Sequence, residues 1–219
     1  MRLLAFVAFA VGLNSAAHAQ TVDSVRYRLE VALAWSAETH PVDFPPGAHF
    51  SDLIGVPHDA RYTLFADGRT ASSGLELLAE NGRTSILAAE FDEALRRGRI
   101  GAVFRGEGLS SPPGVITTTF EIDAKHRLVS FATMIAPSPD WFTGLSNIDL
   151  MADGNWTDRL ELALWAWNAG TDSGRTYTDP DADTQPRESV RLLMSPHFLD
   201  DSGLKRVGTA TFLRLGDPH

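Results

Sequence analysis

Cysteine is absent from all 219 residues. That excludes disulfide staples, thiolate metal centres and a cysteine nucleophile, so the fold must be held by its apolar core. Catalytic signatures are missing too. The chain has no Gly-x-Ser-x-Gly elbow, no glycine-rich phosphate loop and no His-Glu-x-x-His pair. Positive charge is scarce, with 19 Lys and Arg against 28 Asp and Glu and a net charge of -9. Such a field makes nucleic acid a poor partner. No apolar run is long enough for a transmembrane helix. Hydrophobic residues nevertheless make up 43% of the chain, five Trp among them, enough for one sizeable core.

The longest apolar run, Leu3 to Leu13, follows Arg2 and precedes Ala17-His18-Ala19. This order predicts a secretory signal peptide over residues 1–19, cleaved before Gln20. No lipobox cysteine sits near the cleavage site. The expected product is a secreted or periplasmic domain over residues 20–219, with no repeat and no internal linker.

Tyr27, Leu29, Val31, Leu33 and Trp35 alternate with smaller or polar residues, the period-two pattern of a half-buried strand. Thr39 to Pro57 carries four prolines and two glycines and reads as a long structured loop. Ser73 to Glu80 and Ser85 to Arg97 read as helices, the second with Leu87, Phe91 and Leu95 on one face, Ser85 as N-cap and Gly98 closing it. Strands are expected again over Val115–Ile122, Leu128–Ile135, Leu160–Trp167, Val190–Met194 and Val207–Leu215, with Leu128–Ile135 apolar enough to be central. Many strands separated by turn-rich loops argue for a two-layer antiparallel sandwich.

Two polar loops stand out. Ala136-Pro137-Ser138-Pro139-Asp140-Trp141-Phe142-Thr143-Gly144 and Trp167-Asn168-Ala169-Gly170-Thr171-Asp172-Ser173-Gly174 each follow an apolar run. Carboxylate and amide oxygens lie there beside rigid prolines and permissive glycines, a composition suited to a hard cation such as calcium. The bland reading is that Asp140 and Asp172 cap turns by accepting backbone N–H groups. His40, His49 and His58, nine residues apart, lack a diagnostic zinc spacing and read as structural; His126 reads as a turn residue. Asp149 and Asp153 are an unremarkable acidic pair, and Asn155-Trp156-Thr157 is a formal glycosylation sequon.

The two loops, with Pro186-Arg187 downstream and Trp35-Ser36, His40-Pro41, Phe44-Pro45, His49-Phe50-Ser51, Gly55, His58, Ser73-Gly74-Leu75 and Ala79-Glu80 upstream, resemble in order the spondin domain, the N-terminal module of F-spondin and mindin. The resemblance covers roughly residues 25–193, without the family's cysteines or its downstream thrombospondin-type repeats. It implies an all-β fold, an antiparallel eight-stranded β-sandwich with one or two short helices in connecting loops. It also implies a non-enzymatic recognition or adhesion module that binds one calcium ion at the loop end and meets a protein or glycan at a cell surface, matrix or envelope. Carried over residue by residue, the implied ligands are Glu121, the main-chain carbonyl of Ile135, Asp140 and Asn168. Asn168 replaces an aspartate and removes one negative charge, a loss that sharing with Asp172 or Asp149 could offset. The alternative is a secreted polysaccharide hydrolase with Glu121 and Asp140 as acid and base.

Overall fold

The computed structural model describes residues 24–216; the expected leader lies outside the described residues. The chain runs through β1 (Val25–Leu33), β2 (His49–Phe50), β3 (Leu53–His58), α1 (Ser73–Asn81), α2 (Ser85–Arg96), β4 (Phe104–Gly106), β5 (Gly114–Ile122), a 3-10 turn (Ala124–His126), β6 (Leu128–Ala136) and β7 (Trp141–Asp149). It continues with β8 (Met151–Ala152), β9 (Asn155–Trp156), β10 (Arg159–Leu164), β11 (Ala166–Asn168), β12 (Arg191–Leu192), β13 (Leu199–Asp200), β14 (Gly203–Leu204) and β15 (Gly208–Leu215).

Two antiparallel sheets form the sandwich. One has the order β10-β15-β1-β5; the other has the order β12-β11-β7-β6-β3-β4, with β2 added against β6. Their facing side chains make one core. Leu29 and Val31 of β1 and Phe120 of β5 pack with Val129, Phe131 and Ile135 of β6 in a single cluster. A second cluster lies on the outer face of the larger sheet, where Ile54, Val56, Ala132 and Phe142 meet Leu75, Leu78, Leu87 and Phe91 of the two helices. That sheet is covered on both faces, and so β3 is buried at every position and β6 at all but its first.

The helices lie where their apolar periodicity predicts, with small differences. Ser85 is the first helical residue; Thr84 holds the N-cap position and makes no side-chain cap bond. Leu87 and Phe91 are buried, whereas Leu95 is exposed. Helix α1 is capped by Ser72, whose hydroxyl accepts from the Leu75 N–H at 3.2 Å and donates to Glu90 of α2 at 2.7 Å.

Three expectations about strands need correction. The region read as a loop to Pro57 contains β2 and β3. Gly55 and Pro57 look like breakers, yet Gly55 is needed because a Cβ there would lie 2.3 Å from the Phe104 ring. The single strand expected over Leu160–Trp167 is two: β10 pairs with β15 in one sheet, and after Trp165 the chain crosses to pair β11 with β7 in the other. Only Arg191 and Leu192 form a strand within Val190–Met194.

Strand β7 was not anticipated; it begins inside the first polar loop and pairs with β6 through a register shift between Val129 and Phe131. Gly144 lies within it, and its missing side chain is what lets the two strands close, since a Cβ would sit 2.1 Å from the Phe131 carbonyl oxygen. Gly144→Ala is therefore expected to lower unfolding free energy by about 1–3 kcal/mol or more through forced backbone displacement. Urea denaturation checks it; a variant indistinguishable from the parent would show that the β6–β7 contact is not tight.

Candidate functional site

The loop end of the sandwich is built around Asp140. The chain leaves β6 at Ala136, and Ser138 accepts a hydrogen bond from the Trp141 N–H at 3.1 Å, closing a tight turn. Trp141 and Phe142 then root the turn on opposite faces of β7. Trp141 packs against Tyr177 and His197 on the sandwich side, and Phe142 against Phe65 on the helix side. Asp140, immediately before these anchors, is fully buried. In the adjoining ladder Asn168 stands opposite Trp141, and the Ala169 N–H donates to the Asp140 carbonyl at 3.1 Å.

The Asp140 carboxylate collects donors from the second loop. Its Oδ1 accepts from Asn168 Nδ2 at 2.8 Å, and its Oδ2 accepts from the backbone N–H of Thr171 at 2.8 Å and of Asp172 at 3.2 Å. The Oδ1 of Asn168 accepts from the Gly170 N–H at 2.9 Å. Asp172 repeats the pattern one step further out, accepting from the N–H groups of Gly174 and Ala182, each at 2.6 Å. Two carboxylates and one amide thus shape the chain from Asn168 to Ala182.

Negative charge is dense here. Burial raises the Asp140 pKa, opposed by the backbone N–H groups it accepts from and assisted by the Asp172 charge. Glu80, near the end of α1, is pushed up to about 7 by burial, with the Thr171 hydroxyl pulling the other way and Glu76, Asp181 and Asp140 adding to the rise. Its Oε1 and the Thr171 hydroxyl are both buried without a well-aligned hydrogen-bond partner. Asp181 is raised chiefly by its contact with the Asp172 carboxylate. Arg187 pairs with Glu76 and donates to the Ala71 carbonyl at 3.4 Å, clamping the second loop onto α1.

The fold brings together Asp140, Asn168 and, at the adjoining end of β6, Ile135, which is buried opposite Phe50. Glu121 is elsewhere. It pairs with Arg26 near the end of β5, just before the turn that leads into Leu128. Leu128 and Ile135 are seven steps apart along β6, a span of roughly 23 Å at about 3.3 Å per step. Glu121 is exposed beside a cleft of about 460 Å³ that Arg26 and Arg105 also line. A hydrolytic pair needs carboxyl groups within about 10 Å, so Glu121 and Asp140 do not form one. Asp149 lies opposite Leu128 and pairs with Arg127 at 3.0 Å, so it too is remote from Asp140.

His40, His49 and His58 are each engaged in hydrogen bonds within the protein. His58 donates from Nδ1 to the Asp59 carbonyl at 2.9 Å, leaving Nε2 to accept from Ser130 at 2.7 Å. His49 donates to the Gly47 carbonyl at 2.8 Å, and His40 bonds Thr39 at 2.8 Å. Burial, with Lys205 nearby, lowers His40 to about 4. Asp140 and Asp172 accept backbone N–H groups, as the turn-capping reading expects, whereas Glu80, Thr171 and Arg187 stand in the sequence only as members of motifs, with no role at the site to be read there. Their side chains converge only through the packing of α1 against β6 and β7.

Residues 25–202 match the family model Spondin_N. This chain belongs to the Spondin_N family. It is 34% identical to Spondin-2 of Rattus norvegicus over 203 residues, 87% of this chain and 62% of that protein. It is 34% identical to Spondin-2 of Homo sapiens over 176 residues, 78% of this chain and 53% of that protein. To Spondin-1 of Gallus gallus it is 37% identical over 178 residues, 78% of this chain and 22% of that protein. The chain therefore spans less than two thirds of the length of these relatives.

The calcium expected of a Spondin_N domain can be tested against the residues present. Calcium takes about six to eight oxygens. Of the four carried-over ligands, Glu121 lies at the other end of the sandwich. Asp140 is engaged by three donors, and Asn168 turns its amide hydrogens, not its oxygen, toward that carboxylate. Among the described residues no three His, Cys, Asp or Glu side chains converge as a metal centre requires. The carried-over set does not fit a calcium cage.

Asp140→Ala would leave three buried donors unanswered, at about 1–3 kcal/mol each. A loss of several kcal/mol in urea unfolding is expected, and a loss below about 1 kcal/mol would refute the central role of Asp140. Glu80 makes a second prediction. Its pKa rises from 4.5 to about 7 on folding, so the folded state holds this proton more tightly, and stability is lost as pH climbs through that interval. Glu80→Gln removes the loss. Its thermal midpoint should exceed the parent's by a few degrees at about pH 8, with the gap closing toward about pH 5; a gap independent of pH would disprove the titration.

Proposed function

We propose that this chain is an exported, non-enzymatic recognition module whose loop end engages a protein or glycan at a cell surface, matrix or envelope. The observation that carries this reading is the Spondin_N match over residues 25–202, together with a loop end whose conformation is set by buried hydrogen bonds. Loops held this way lose little conformational entropy when they bind, and such preorganisation favours recognition. The leader expected from the sequence of residues 1–19 supports a location outside the cytoplasm. Among the described residues no helix is long and apolar enough to cross a membrane. A hydrolase is not favoured, because its two carboxylates lie at opposite ends of the fold and Asp140 is fully buried.

The second loop carries the exposed groups a partner would meet. Arg175 and Thr178, between the anchored Gly174 and Ala182, are exposed. Immobilised chain is expected to retain cells, or matrix or envelope material, from its host. Replacing both by Ser and Ala should weaken that retention by about tenfold or more, equivalent to about 1.4 kcal/mol per tenfold, with the thermal midpoint unchanged. Equal binding by parent and variant would exclude this loop as the contact, and turnover on a glycan panel would overturn the non-enzymatic reading.

A further inference from the structure

The side-chain amide of Asn168 donates directly to the buried Asp140 carboxylate. Its Nδ2 lies 2.8 Å from Asp140 Oδ1, while its Oδ1 accepts from the Gly170 N–H at 2.9 Å. Both ends of the amide are engaged, and each partner fixes the same orientation. Turning the amide over would set Nδ2 against a backbone donor and Oδ1 against a carboxylate, donor to donor and acceptor to acceptor. The remaining Asp140 oxygen is filled by Thr171 and Asp172. Asn168 is almost wholly buried and Asp140 fully so, so no solvent ion is needed to satisfy either.

We propose that Asn168 takes the place of a divalent ion in this chain, so that the loop end is set without metal. An aspartate at this position would put two carboxylates about 3 Å apart in a buried site. Both could stay ionised only with a cation between them; otherwise one must take up a proton. The Asn side chain removes that requirement by supplying a donor where the second charge would stand, while keeping an oxygen for Gly170. Recognition through these loops is then independent of calcium concentration. This inference stands apart from the identity of any partner, because it concerns how the loops are held.

The test compares the parent protein with Asn168→Asp, each melted in millimolar calcium and in chelator. The parent is expected to give the same midpoint in both. Asn168→Asp is expected to melt several degrees lower in chelator, to recover in calcium, and to recover also as pH is lowered in chelator. In the parent, the Asn168 side-chain amide protons should give a resolved, slowly exchanging NMR pair that calcium leaves unmoved. A calcium-dependent rise in the parent midpoint, or displacement of that amide pair by calcium, overturns the proposal. So does an Asn168→Asp variant as stable in chelator as the parent. If Asn168→Asp folds in neither medium, the amide signal of the parent decides alone.

Discussion

A single buried carboxylate organises the functional end of this protein. Asp140 has no access to water, so its charge must be answered by protein dipoles, and the groups that answer it come from a loop about thirty residues away in the chain. The penalty for leaving such a charge or its donors unpaired is steep at this depth. That penalty couples two loops which share no regular hydrogen-bonding ladder beyond Asn168. Asp172 then extends the same device toward Ala182, and Arg187 fastens the far side of the loop to α1 through Glu76.

This arrangement depends on a sheet buried on both faces. The larger sheet is covered by the smaller sheet on one side and by α1 and α2 on the other. Consecutive residues Trp141 and Phe142 can therefore both be buried, each in a different core. An exposed outer face would leave Phe142 in water and the root of the loop anchored on one side only. The helices also bring Glu80 to the edge of the site, where its ordinary acidity is lost to burial and to neighbouring carboxylates. Stability at this end and its response to pH share a common origin in the crowding of acidic groups.

Much of the fold was legible from local pattern. The alternation in β1, the nearly continuous apolar run of β6 and the helical spacing of Leu87 and Phe91 all correspond to observed elements. What escaped local reading has physical reasons. β3 contains Gly55 and Pro57, which break isolated strands but here serve a close aromatic contact and a buried pairing with β6. The crossing at Trp165 keeps strand character on both sides, so periodicity cannot reveal that the chain changes sheets. β7 begins within a stretch whose prolines and polar residues look like loop alone.

The sequence by itself determined that the protein lacks cysteine chemistry, builds mainly antiparallel strands around an aromatic-rich core, and carries the two loops with Asp140 and Asn168 that mark a Spondin_N domain. Only the tertiary structure decided which of the candidate residues meet. Glu121 and Asp140 are separated by the length of β6, whereas Asn168, Thr171 and Glu80 close around the carboxylate from distant parts of the chain. It also decided which way the Asn168 amide faces. Residue type supplies both a donor and an acceptor at that position, and only the placement of the Gly170 N–H on one side and the Asp140 carboxylate on the other selects between them.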